Sequence, residues 1–297
     1  MGLRLSAVVF PPRACFDLTL PDGRLLELGR RPLVMGILNV TPDSFADGKA
    51  LLDPGLAADA AFRMEAAGAD LIDVGGESTR PGAEARPAEE ELSRVLPVLR
   101  RLAGRVRVPI SIDTYKGDVA RAALEAGASL VNDISGLRYD PTLVRVAAEC
   151  GAPLVIMHTR GRPKAMYAEA SYTDVVAEVV AELKASIALA RAAGVREAQI
   201  LVDPGIGFAK RPEHSYGVLA RLAEFSAAIG RPVAVGSSRK SFMSAALDNR
   251  PAPQRDWGTA ATVASAVLSG AHVLRVHAVA EMVQVVRVAE EIRRGAA

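Results

Sequence analysis

Ile110-Ser-Ile-Asp-Thr-Tyr-Lys-Gly-Asp-Val-Ala-Arg-Ala-Ala-Leu-Glu-Ala-Gly-Ala-Ser-Leu-Val-Asn-Asp133 holds one complete unit of the fold. A short apolar run, 110–113, ends on an acid. An Ala- and Leu-rich segment of helical periodicity, 118–126, follows it and stops at Gly127. A second short run, 130–133, then ends on Asn132 and Asp133. Apolar runs that do not alternate with polar residues suit parallel strands buried on both faces. A glycine at the end of a helical segment suits a left-handed cap feeding a short loop.

The same unit recurs along the chain. Strand-like runs lie at 33–40, 71–74, 110–113, 130–133, 154–157, 200–203, 233–236 and 273–276. Helical segments lie at 56–67, 89–102, 118–126, 142–149, 172–193, 214–229, 258–268 and 279–293, and Gly68, Gly127, Gly151, Gly194, Gly230 and Gly270 follow six of them. Eight alternations predict an α/β fold, a single (β/α)8 TIM barrel. An open doubly wound sheet would show fewer strands and a glycine-rich fingerprint after the first. Upstream, Pro21-Asp22-Gly23 separates two alternating runs, which predicts a β-hairpin. The expected division is therefore 1–32, a hairpin extension covering the bottom of the barrel, and 33–297, the barrel itself.

Bulk properties exclude several classes. The chain has 297 residues, half of them hydrophobic, and a formal net charge of +2. That charge gives no reason to expect nucleic acid or an anionic membrane as partner. No apolar run approaches the ~20 residues of a membrane helix, and the N-terminus lacks a signal-peptide pattern. Cys15 and Cys150 form neither a disulfide framework nor a metal pair, so two reduced thiols in the cytoplasm are expected.

In this fold, chemistry gathers at the C-terminal ends of the strands. Those ends carry Asn39, Thr41, Asp43 and Ser44; then Asp73-Val-Gly-Gly-Glu-Ser-Thr-Arg-Pro-Gly82; then Asp113 and Lys116; Asn132 and Asp133; and His158. Asp203-Pro-Gly-Ile-Gly-Phe-Ala-Lys210, Gly236-Ser-Ser-Arg-Lys-Ser241 and Arg275-Val-His277 complete the set. Singly, each has a plain explanation. Asp113 or Asp203 could cap a helix. Gly75-Gly76 could be a tight turn, His158 a core or rim histidine, and Trp257 a packing residue. His272 precedes its strand and is expected to be structural. Together, acids, amides and cations at one end of nearly every strand point to a site.

Two sub-sites follow. Asp113, Asn132, Asp203 and Lys240 come from four strand ends and suit the donor and acceptor edge of a planar, nitrogen-rich heterocycle; each unmatched buried group would cost ~1–3 kcal/mol. Ser237, Ser238, Arg239, Lys240, Arg275 and His277 follow the last two strands, where barrels often hold phosphate. Arg275 and His277 alternate and so point the same way. Arg80 adds a forked donor. Asn39 offers a neutral oxygen suited to Mg²⁺, which prefers oxygen and is often held through substrate phosphates. The loops at 41–53 and 75–90 have Gly and Pro flanks and are expected to close over the site and exclude water.

These motifs resemble the signatures of the dihydropteroate synthases. The resemblance runs through Met35–Gly48, Asp73–Gly82, Asp113-Thr-Tyr-Lys116, Asn132–Gly136, Met157-His158, Asp203–Lys210, Gly236–Ser241 and Arg275–His277, in the family's order over about residues 33–280. It implies condensation of a dihydropterin-methyl diphosphate with p-aminobenzoate, in folate synthesis, with loss of pyrophosphate. It also implies pterin contacts at Asp113, Asn132, Asp203 and Lys240, and diphosphate contacts at Asn39, Arg80, Arg275 and His277. Mg²⁺ falls at Asn39, and an aminobenzoate pocket at Thr79, Pro81, Phe208, Ser238 and Lys240. The resemblance implies a cytoplasmic homodimer, for which helices 258–268 and 279–293 are the expected interface. The stripe Met282, Val285, Val286 and Val288 could equally be core. A dissociative mechanism needs no side-chain nucleophile, in keeping with a sequence that shows no evident Ser–His pair. Sulfonamides should compete with the aminobenzoate. Two departures stand out: Ala278 where the family often has Asp, and Ala46 where it often has Ser. The rival readings are a pterin-dependent methyltransferase, which shares the barrel but would not need Arg80, Arg275 and His277 gathered on a diphosphate, and a non-catalytic pterin-binding protein.

Overall fold

The computed structural model describes residues 10–41, 51–80 and 82–296. Two short strands, β1 (Phe16–Thr19) and β2 (Leu25–Leu28), pair antiparallel as the predicted hairpin. Its turn is closed by Gly23 N–H donating to the Leu20 carbonyl at 2.9 Å, and Gly23 takes the left-handed conformation at φ 84°.

The strands β3 (Leu33–Asn39), β4 (Leu71–Gly75), β5 (Ile110–Asp113), β6 (Leu130–Asp133), β7 (Leu154–Met157), β8 (Ile200–Asp203), β9 (Ala234–Val235) and β10 (Val273–Val276) form one parallel sheet in the order β8-β7-β6-β5-β4-β3-β10-β9. A further parallel bridge, Val202 to Val233, joins its two edges. The expected (β/α)8 barrel is the observed one. Its helices are α1 (Pro54–Ala66), α2 (Ala88–Leu102), α3 (Gly117–Glu125), α4 (Pro141–Glu149), α5 (Val175–Ala192), α6 (Pro212–Ala220), α7 (Leu222–Ile229), α8 (Asp256–Leu268) and α9 (Val279–Gly295). The six glycines expected to end helices all have positive φ.

Two expectations need correction. The segment 214–229 is not one helix: it breaks at Arg221, which has φ −109° and ψ 24° and turns its guanidinium to Asp174 and Glu224. Gly217 weakens that stretch as a helix, but the apolar spacing runs through the break unchanged, so periodicity could not reveal it. Trp257 is not a packing residue either. It lies in the first turn of α8, 87% exposed, on the side away from the barrel.

Strand alternation divides the core in two. Ile72 and Val74 of β4 face outward and pack with the helices, whereas Leu71 faces the interior. The lower interior is an apolar plug of Leu33, Met35, Leu71, Leu130, Val155, Leu201, Ala234 and Val273, continuous with Leu18, Leu20, Leu26 and Leu28 of the hairpin. His272 is structural: it is buried, its Nδ1 accepts the Val233 N–H at 3.0 Å, and its Nε2 lies 3.0 Å from the Ala14 carbonyl. The plug seals the bottom of the barrel, so inward side chains one layer higher can be polar.

Candidate active site

Above the plug the inward positions become Asn39, Asp73, Gly75, Asp113, Asn132, Asp203, Gly236 and Arg275. A cavity of about 490 Å³ opens over them. Ile37, Asn39, Asp113, Gly236 and Arg275 line its floor, and Thr79, Arg80, Phe208, Ser238, Lys240 and His277 line its walls. Asn132 and Asp203 lie deeper. They line a void of about 10 Å³ beneath, and Arg275 borders both spaces. Every candidate residue within the described segments therefore comes to one end of the barrel. Pro81, Asp43, Ser44 and Ala46 lie outside the described residues.

The two consecutive glycines serve different neighbours, and neither is there for a turn. A Cβ on Gly75 would sit 3.5 Å from Asp113 Oδ2 and 3.7 Å from Asn39 Oδ1, filling cavity floor. On Gly76 it would meet Val95 Cγ1 at 2.8 Å, where α2 packs against the strand end. The loop that follows is tied down at its base. Lys116 pairs with both Glu77 and the buried Glu91, and the Tyr115 hydroxyl donates to Glu77 at 2.8 Å.

Arg275 spans the floor. Its Nε donates to Asp73 Oδ2 and its Nη2 to Asp113 Oδ2, each at 2.6 Å. Burial works against its charge, but the two carboxylates hold the proton more firmly than usual. Burial also pushes the Asp113 carboxyl up to about 7; Arg275 opposes this while Asp73, Glu91 and Asp133 reinforce it. The Oδ1 atoms of Asp73 and Asp113 are buried with no hydrogen-bond partner among the described residues. Burial likewise raises Asp203, whose Oδ1 accepts the Gly205 N–H at 2.7 Å. Lys240 falls to about 8, chiefly from burial, with Asp203 opposing and Arg275 reinforcing. Its Nζ donates to the Ile206 carbonyl at 2.6 Å and sits 4.5 Å from the centre of the Phe208 ring.

On the wall, Ser238 Oγ lies 2.9 Å from His277 Nδ1 and accepts the His277 backbone N–H at 3.2 Å. A Ser–His pair is therefore present, contrary to the reading of the sequence; it arises between two strand ends. Burial first, and then the cations Arg239, Arg275, Arg80 and Lys240, lower His277 to about 3. A neutral imidazole so reluctant to take a proton is a poor base for activating serine. Ser238 Oγ already accepts the His277 backbone N–H, so its own proton is free for Nδ1; in that tautomer Nε2 carries the ring proton and can donate. Arg239, expected among the anion-binding groups, directs its guanidinium to Asp256 at 2.7 and 2.8 Å.

His158 belongs to the core. Lys210 Nζ lies 2.8 Å from its Nδ1, and Glu182 Oε2 lies 3.2 Å from its Nε2. Ala278 takes the N-cap position of α9 without a side-chain acceptor, so the departure from the family's Asp forgoes a cap. Sequence reading missed Asp73 as a site residue, although its motif was legible. The signal was its spacing from inward Leu71, two residues earlier. Met166 and Tyr167, which also line the cavity, come from a loop without a periodic signal.

Among the described residues no group of three or more His, Cys, Asp or Glu is gathered to cage a metal. The donor set, one neutral oxygen on Asn39 beside several cations, fits a Mg²⁺ held mainly by substrate phosphate and water.

The model of the pterin-binding enzymes matches residues 35–277. The chain is 45% identical to the dihydropteroate synthase of Synechocystis sp. over 286 residues, 96% of each protein. The solved structure of Yersinia pestis dihydropteroate synthase with a sulfonamide drug complex superposes with a TM-score of 0.89 at 43% identity, covering 94% of this chain and all of that one. That of Burkholderia cenocepacia dihydropteroate synthase complexed with 7,8-dihydropteroate has a TM-score of 0.84 at 40% identity, covering 97% and 99%. A barrel whose acids, amides and cations converge on one cavity, matched over nearly its whole length, thus belongs to the pterin-binding enzymes and, within them, to the dihydropteroate synthase family.

Proposed function

We infer that this protein joins a dihydropterin-methyl diphosphate to p-aminobenzoate, forming 7,8-dihydropteroate and pyrophosphate, a transferase step of folate biosynthesis. The observation that carries the reading is the cavity itself: an acidic and amide floor meets a cationic wall at one end of the barrel, in a chain 45% identical to a dihydropteroate synthase.

Asp113, Asn132, Asp203 and Lys240 hold the heterocycle. Support comes from their depth and from the unpartnered Asp113 Oδ1, an acceptor waiting for a donor. Asn39, Arg80, Arg275 and His277 hold the diphosphate; the Nε2–H of His277 and two guanidinium forks are suited to its oxygens. Thr79, Pro81, Phe208, Ser238 and Lys240 form the aminobenzoate pocket, in which the Phe208 ring offers a flat apolar face. Mg²⁺ bound through Asn39 would add charge neutralisation on the diphosphate.

The reaction runs dissociatively. The bond between the methylene carbon and the diphosphate oxygen breaks, and its electron pair leaves on oxygen. The amine lone pair then attacks the cationic methylene, and the new nitrogen–carbon bond forms with loss of a proton from nitrogen. The cations stabilise the charge that develops on the leaving group. A walled cavity keeps water from competing with the amine.

The reading extends to a cytoplasmic homodimer. Cys15 and Cys150 are both free. Exposed Trp257 on α8, with Val288 and Ile292 on α9 at 62% and 53% exposure, is an apolar set suited to an interface between these helices. Of the stripe Met282, Val285, Val286 and Val288, Met282 and Val286 are core and Val288 is not. No helix among the described residues is long and apolar enough to cross a membrane.

The test is pyrophosphate release by the purified protein with Mg²⁺, each substrate omitted in turn. Release that needs both, yields dihydropteroate and is inhibited by a sulfonamide supports the reading. No release alongside tight pterin binding by calorimetry overturns it in favour of a binding protein or a methyltransferase.

A further inference from the structure

Asp73 is the third residue of β4 and is completely buried. Its Cβ shares the inward face with Leu71 below and Gly75 above. A carboxyl group at such depth is costly unless it is partnered. Its Oδ2 accepts two hydrogen bonds, from Asn132 Nδ2 at 2.9 Å and from Arg275 Nε at 2.6 Å. Resting on the reading above, we propose that Asp73 is a positioning residue for the pterin diphosphate: it decides which atom Asn132 offers the heterocycle, and it retains Arg275 when the heterocycle takes Asp113.

The first half follows from the amide. An asparagine has nearly the same shape when its oxygen and nitrogen are exchanged, so a neighbour must choose between them. Asp73 Oδ2 already accepts from Arg275 and can only accept from Asn132 as well. Exchange would set two oxygens against each other about 3 Å apart. Nδ2 is thereby committed, and Oδ1 is left for a ligand. Asn132 then acts as an acceptor beside Asp113 and Asp203. Three acceptors select a ligand edge rich in N–H groups, such as a 2-amino-pyrimidinone, and disfavour a 2-oxo analogue.

The second half follows from the guanidinium. Its two bonds go to different carboxylates, Nε to Asp73 and Nη2 to Asp113. Arg275 lines both the main cavity and the void beneath it, where Asn132 and Asp203 lie. A heterocycle that claims Asp113 Oδ2 as well as the unpartnered Oδ1 takes the place of Nη2 on that carboxylate. The Nε bond to Asp73 is not in its way. Arg275 therefore pivots on Asp73, with its freed end available to the diphosphate.

The test compares wild type, Asp73→Asn and Asp73→Ala. Asparagine keeps an acceptor oxygen and removes the charge; alanine removes both. Steady-state rates give KM for each substrate, and calorimetry with 6-hydroxymethyl-dihydropterin, which lacks the diphosphate, gives binding without turnover. In Asp73→Ala the pterin-diphosphate KM rises about tenfold or more, the loss expected for one buried charge-assisted hydrogen bond. In Asp73→Asn it rises less, with a melting temperature near wild type. KM for p-aminobenzoate stays within about twofold of wild type in both, and discrimination against a 2-oxo pterin weakens in Asp73→Ala. If Asp73→Ala does not fold, the selective rise in Asp73→Asn carries the test. An unchanged pterin KM overturns the proposal. So does a parallel rise in both KM values with a lowered melting temperature, which marks a purely structural carboxylate. If wild type itself does not turn over, the functional reading fails, and calorimetry still decides Asp73: equal pterin affinity in wild type and Asp73→Asn overturns its role.

Discussion

Ser238 holds His277 from both sides: its Oγ lies 2.9 Å from Nδ1 and accepts the backbone N–H of the same residue at 3.2 Å. The serine thus belongs as much to the histidine as to the cavity. With its oxygen taken by the backbone N–H, its hydroxyl proton favours the tautomer in which Nδ1 accepts and Nε2–H donates. Ser238→Ala removes that hold and leaves Nδ1 unsatisfied. The expected result is about a fivefold loss in affinity for inorganic pyrophosphate, roughly 1 kcal/mol, with little change for a pterin lacking the diphosphate. Calorimetry with each ligand checks it.

Arg275→Ala leaves Asp73 and Asp113 buried without their shared cation. A broken buried pair costs on the order of 3 kcal/mol. Turnover should fall about a hundredfold or more, because charge on the leaving group loses a forked donor. A pterin without the diphosphate should still bind. The stability loss has a predictable pH dependence. Asp113, already raised to about 7, rises further when Arg275 is gone. A carboxyl with a raised folded-state pKa stabilises the fold at low pH, and that stabilisation is lost as pH rises. The deficit against wild type should therefore be largest above pH 7 and should shrink as pH falls from there. Urea unfolding across pH measures it.

Lys240 loses its charge near pH 8, chiefly because it is buried. If the charged form binds the pterin diphosphate, kcat/KM for that substrate should fall as pH rises through about 8, since kcat/KM reports the free enzyme. Lys240→Arg stays charged and should lack this limb, whatever its absolute rate. A limb unchanged in Lys240→Arg would assign the titration elsewhere.

His272 predicts the acid side of stability. Burial lowers it from 6.5 to about 4, with its two ring nitrogens engaged by Val233 and Ala14. The unfolded chain takes a proton below 6.5 where the folded one does not. Stability from this group is complete above 6.5 and is lost as pH falls towards 4, by up to about 3 kcal/mol. His272→Gln should be less stable at neutral pH but should lack this share of the slope. Unfolding midpoints measured between pH 4 and pH 7 decide it.

Much of the architecture was legible because its signals are local. A run of apolar residues between breakers marks a buried parallel strand wherever it occurs, and a glycine at a helix end marks a left-handed cap. Strand ends could therefore be located, and with them Asn39, Asp113, Asn132, Asp203, Lys240, Arg275 and His277. The break at Arg221 was not legible, since apolar spacing continues through it. Nor was the exposure of Trp257, since a tryptophan looks like core until its helix is oriented.

What the chain order could not contain was which strand ends meet. Asp73 and Arg275 are far apart in sequence and share a hydrogen bond only because β3 lies between β4 and β10 in the closed sheet. Ser238 and His277 meet because β9 and β10 are neighbours. Local spacing determines each strand and the face each side chain takes. Register and closure, set by non-local pairing and by the apolar plug below, determine whether a carboxylate at the top finds a cation, an amide or nothing.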